Sequence, residues 1–217
     1  MVTLSPHDKL VADLAEGLKP VRPLPAPCVR AVFWFGGAML VGLILATRMD
    51  AGDFLIRMRA PNLMLAALGA MSTAVTASLA AFATAVPGRS GAWALLPLPA
   101  VVLWIGASGL GCLYVRIVPG TGISGPHDMT MCLGVLVCVS VPLSALMVVM
   151  VRRACPLRPN LTAALGGLAV AAVAATMLMP FHSYDATATD LALHAAVLLG
   201  VIGLNRILAG PLLAGRG

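Results

Sequence analysis

Six long apolar runs leave this chain few ways to fold. They cover residues 31–47, 63–86, 92–118, 129–151, 161–179 and 191–209. Each approaches or exceeds the roughly 20 residues a helix needs to cross a bilayer. None alternates apolar with polar residues as the strands of a membrane β-barrel do. Together they take well over half of the 217 residues, so no separate soluble domain of ordinary size fits in the remainder. Composition agrees: 60% of the residues are hydrophobic and 10% charged, against roughly 45–50% and about 25% in soluble domains. The expected fold is an all-α polytopic membrane protein with six transmembrane helices. Residues 28–217 form that domain, preceded by a short segment, 1–27.

Two of the runs carry small residues every fourth position. Ala66, Ala70, Ala74 and Ser78 line one, and Ala163, Gly167, Ala171 and Ala175 line the other. Such a stripe lets helix backbones approach closely in lipid, so these two helices are expected in the interior. Pro97 and Pro99 open the third run and Pro142 lies in the fourth, positions where a membrane helix kinks without breaking. Orientation follows from Lys and Arg. With the N-terminus inside, Lys9, Lys19, Arg22, Arg30, Arg89, Arg152, Arg153, Arg158, Arg206 and Arg216 fall on the inner side. Only Arg48, Arg57, Arg59 and Arg116 fall outside. The positive-inside rule then places both termini in the cytoplasm. The net charge of +6 is a topology signal, and no direct nucleic-acid partner is expected.

Residues 1–27 do not resemble a cleavable signal, because Asp8, Asp13 and Glu16 precede any apolar stretch. Ser5 can cap a helix, Pro6 suits its first position and Asp8 its first turn. Leu10, Val11, Leu14 and Leu18 then share one face, away from Lys9, Asp13 and Glu16. Pro20, Pro23, Pro25 and Pro27 end the helix and form a stiff tether. So short a helix is marginal alone in water. It is expected to dock into a partner's groove, to lie on the inner leaflet, or to be a structureless tail, and its near-balanced charge favours the partner over the leaflet.

Enzymatic and transport chemistry find little support. Gly120, Gly122 and Gly125 spell G-x-G-x-x-G, but no strand precedes them and no acidic residue follows at the required distance. The spans hold no Asp, Glu or Lys at depth, as ion-coupled transport usually requires. No C-x-x-C or intramembrane hydrolytic set occurs either. The chain is expected not to be an enzyme and to need no cofactor.

One polar, sulfur-bearing cluster remains at the outer face. His127, Asp128, Met129, Met131 and Cys132 enter the fourth span, and Cys112 ends the third. Met177, Met179, His182, Asp185 and His194 lie between the fifth and sixth. The set suits redox sensing through Cys132, Cys112, Met131, Met177 and Met179. It also suits a soft metal held by His182, Asp185, His194 and Cys132. Plain packing is the third reading, since Met and lone Cys commonly fill membrane cores. Cys138, about 9 Å deeper on the helix rise, is expected to pack, and Cys28 and Cys155 to be unpaired in the cytoplasm.

Five stretches carry a family resemblance. They are residues 14–22, Val86-Pro87-Gly88-Arg89-Ser90 leading to Leu96-Pro97, Arg152-Arg153-Ala154-Cys155-Pro156-Leu157-Arg158-Pro159, residues 166–172, and Phe181-His182 followed by Asp185 and His194. In order and spacing the chain resembles the NrsF-type negative regulators of extracytoplasmic-function sigma factors over nearly its whole length. The resemblance implies a six-span anti-sigma factor of the bacterial inner membrane, with the sigma factor and membrane lipid as partners. It would release the sigma factor under metal or oxidative stress. Residues 1–27, together with Arg152, Arg153 and Arg158, would bind the sigma factor. The family also uses a cysteine pair, of which Cys132 matches the first. The second position here is Ser183, which cannot form a disulfide. Cys112 as resolving thiol, Cys132 with Met177, Met179 and the histidines, or another signal altogether then stay open. The competing class is a small membrane channel or membrane-complex subunit that binds no sigma factor.

Overall fold

The computed structural model describes residues 5–17, 23–47, 52, 54–55, 58–117, 126–181 and 188–214. Among them there is no strand, and six helices are long and apolar enough to cross a membrane. In chain order the helices are α1 (Pro6–Glu16), α2 (Pro27–Ala46), α3 (Pro61–Thr84), α4 (Leu98–Ile117), α5 (Pro126–Arg152), α6 (Pro159–Leu178), α7 (Ala188–Leu204) and α8 (Gly210–Ala214). A 3-10 turn, Gly91–Leu95, precedes α4, and a π-helical turn, Asn205–Ala209, joins α7 to α8.

Proline sets several of these starts. Pro6, Pro27, Pro61, Pro126 and Pro159 each open a helix, where the missing N–H is one of the donors left over anyway and φ is already helical. This explains the differences from the apolar runs. The first span starts four residues before Ala31 and so takes in Arg30. The third opens at Gly91 as a 3-10 turn and becomes α-helical at Leu98, with Pro97 and Pro99 at the junction.

The interior is built from α3 and α6, as the small-residue stripes suggest. Ala66, Ala70, Ala74 and Ser78 are all buried, as are Ala163, Gly167 and Ala171, with Ala175 partly so. Among the described residues the α3–α6 interface is the most extensive. Glycines set the closest approaches. A Cβ on Gly69 would lie 2.7 Å from the Trp104 backbone of α4, and one on Gly167 would lie 2.9 Å from Ile202 Cα of α7. In lipid no hydrophobic force drives helices together, so this backbone proximity and a few polar ties carry the association. Thr84 and Thr162 share a buried 3.2 Å hydrogen bond between α3 and α6. Asn205 donates through Nδ2 to Ser144 Oγ of α5 at 3.0 Å. Such ties contribute about 0.6–2 kcal/mol each. Large apolar side chains on the outward faces, among them Val32, Met39, Val102 and Leu199, are exposed and suit contact with lipid.

Candidate functional site

α1 forms as its sequence suggests. Ser5 Oγ accepts from the Asp8 N–H at 3.2 Å, and Asp8 Oδ2 accepts from the Ser5 N–H at 3.1 Å. This reciprocal capping box satisfies two backbone donors that the helix leaves free. The helix ends at Glu16, with Gly17 as its cap. None of its residues is buried: Leu10, Val11 and Leu14 are 54%, 63% and 64% exposed. Leu18 lies outside the described residues. Residues 23–26 are exposed and lie outside any helix, leading into α2.

Three further segments gather at the end of the bundle where α2 begins, here called the tail end. The Arg30 side chain of α2 reaches Met150 of α5 and Phe82 of α3. The Arg158 guanidinium occupies the space that a Cβ on Gly91 would take, so the α3–α4 and α5–α6 connections meet there. Arg89 stacks over the Trp93 ring at 5.6 Å. Arg152, Arg153 and Arg158 are exposed. Between Asp53 and Asp128, and again between Asp128 and Asp185, the chain has no carboxylate, so this face is basic. Cys155 sits on it at φ 46°, a left-handed conformation that few non-glycine residues adopt. Cys28 and Cys155 are exposed free thiols.

The opposite end holds the sulfur-bearing residues by chain order. Cys112 lies in the last turns of α4, Met131 and Cys132 in the first turns of α5, and His194 in the first turns of α7. The side chains of Cys112, Met131, Cys132 and His194, and all of His182, Ser183 and Asp185, lie outside the described residues. Among those described, no group of three or more His, Cys, Asp or Glu gathers. Met177 and Met179 are described and partly buried. Met177 packs on α2: a Cβ on Gly42 would lie 3.1 Å from its Cε. Cys138 is exposed, contrary to the packing role expected of it. It sits on the face of α5 away from buried Leu136, Val139 and Leu143.

Sequence reasoning passed over the α2–α5 seam. Trp34 is fully buried and its Nε1 donates to Leu143 O at 3.2 Å. Arg30 is 4% exposed and donates through one terminal nitrogen to Met150 O. The signal was Arg30 four residues before Trp34, a spacing that stacks two hydrogen-bond donors on one helix face.

A family model described as NrsF, negative regulator of sigma F, matches residues 14–214. Among curated proteins and among solved structures nothing matches.

Proposed function

The chain belongs to the NrsF family of negative regulators of sigma F, and on that premise we propose that it is an anti-sigma factor of the bacterial inner membrane. It holds an extracytoplasmic-function sigma factor in the cytoplasm through its N-terminal segment and releases it when the opposite, periplasmic face registers oxidative or metal stress. The observation that carries this reading is α1: a capped amphipathic helix with Leu10, Val11 and Leu14 exposed, set ahead of a proline-rich lead into α2. A helix-in-groove partner would cover those side chains and hold the sigma factor away from RNA polymerase. The basic tail end supports a cytoplasmic location, and Arg152, Arg153 and Arg158 offer the sigma factor a second, electrostatic contact.

Sensing belongs to Cys132 and its neighbours, with Cys112 as resolving thiol or with Met131, Met177 and Met179 as oxidisable partners. The seat of Met177 against α2 supports this, because a sulfoxide oxygen there would press on the helix that carries the tail. Moving the complex from nearly all bound to nearly all free requires roughly 5.5 kcal/mol of differential stabilisation. Covalent oxidation supplies that more readily than one weak ligand. The test is copurification in mild detergent. A sigma factor should accompany the full chain and be lost on deletion of residues 1–27; equal recovery with both would overturn the assignment.

A further inference from the structure

A charged side chain in a membrane helix is costly and usually snorkels to the interface. Arg30 lies in the first turn of α2, within reach of the tail-end surface, yet it turns inward. It is 4% exposed, donates to Met150 O, and holds its guanidinium carbon 4.8 Å from the centre of the Phe82 ring. Its other terminal nitrogen is buried with no hydrogen-bond partner among the described residues. Met150 is among the last four residues of α5, whose carbonyls have no partner within the helix. Arg30 therefore caps α5 from a different helix. Along the same face of α2, Trp34 donates to Leu143 O, and a Cβ on Gly37 would lie 2.5 Å from Leu146 Cδ2.

All three α5 partners, Leu143, Leu146 and Met150, lie on the tail-end side of Pro142, where α5 lacks a backbone N–H. Cys132 lies ten residues to the other side, about 15 Å along the helix. α5 thus has an inner half bonded to the tail-bearing helix and an outer half that carries the thiol, on either side of Pro142.

We infer that Arg30 is the positioning residue that binds the tail-bearing helix to the inner half of α5 and so holds the N-terminal segment in its sigma-retaining placement. This rests on the proposed anti-sigma function. When the Arg30 tie to Met150 is lost, the first turn of α2 loosens from the end of α5, although Trp34 still holds Leu143, and the tail loses its placement.

The experiment needs no inducer. Membranes carrying equal amounts of each variant are incubated with the purified sigma factor, and the retained fraction is measured. Arg30→Gln is expected to retain at least fivefold less than the unaltered chain. Arg30→Lys, which keeps a cation over Phe82 and a donor toward Met150, recovers most of the retention. A Gly37→Cys/Leu146→Cys cross-link added to Arg30→Gln, in a chain whose five native cysteines are replaced by serine, restores retention when oxidised and loses it in dithiothreitol. Retention by Arg30→Gln equal to that of the unaltered chain overturns the inference, as does a cross-link that restores nothing. Deletion of residues 1–27 runs alongside. If the deletion keeps full retention, the tail-binding reading itself fails; if only the Arg30 variants behave as the unaltered chain, this inference alone fails.

Discussion

Leu14 gives the sharpest numerical expectation. It lies on the exposed apolar face of α1 with 64% of its surface accessible, and docking would bury that share. Truncation to alanine removes three carbons, each contributing about 0.8 kcal/mol when fully buried. Scaled to the exposed share, Leu14→Ala costs about 1.5 kcal/mol of binding, or about tenfold in Kd. Val11, 63% exposed, loses two carbons and should cost about 1 kcal/mol, or about fivefold. Glu16 shares the opposite stripe with Lys9 and Asp13, and Glu16→Ala should stay within about twofold. The assay titrates the sigma factor onto the full chain in lipid nanodiscs, with fluorescence anisotropy as readout. A Leu14→Ala variant within twofold of the unaltered chain would refute the reasoning. So would a loss for Glu16→Ala equal to that for Leu14→Ala, because the faces would then be equivalent.

Other expectations follow from the same geometry. Ser5→Ala removes the capping acceptor, lowering α1 stability by about 1 kcal/mol; it should weaken sigma binding severalfold, and circular dichroism of the tail peptide should show less helix. Cys132→Ser should blunt induction of the regulon by hydrogen peroxide while leaving basal repression intact, a difference read from a reporter driven by the sigma factor. Gly167→Leu would force α6 from α7, since even a Cβ meets Ile202 Cα at 2.9 Å. Overpacking of this kind costs about 1–3 kcal/mol, and the thermal midpoint in detergent should fall, while the same substitution at Gly106, in open space, leaves it unchanged.

The parts legible in the sequence were those encoded along one helix. The small-residue stripes of α3 and α6 mark their own buried faces, and the spacing from Ser5 to Asp8 encodes a capping box without any tertiary partner. Apolar content located the spans but not their ends, which prolines such as Pro27 and Pro159 set. Nor did it tell packing from lipid contact: Cys138 and Val139 adjoin in sequence, and one is exposed while the other is buried. The Arg30 and Trp34 contacts were hidden for a different reason. Their acceptors are the backbone carbonyls of Met150 and Leu143, and a carbonyl carries no residue signature. Sequence recorded two donors on one face, and only the packing of α2 on α5 supplies what they bind.

The proposed function requires that the exposed face of α1 hold the sigma factor. A photo-cross-linking amino acid at Leu14, irradiated in living cells, tests it most directly. A covalent adduct of the chain with the sigma factor is expected from position 14, and none from the outward-facing position Val102. Adducts from neither position, with the sigma factor present in the cell, would contradict it.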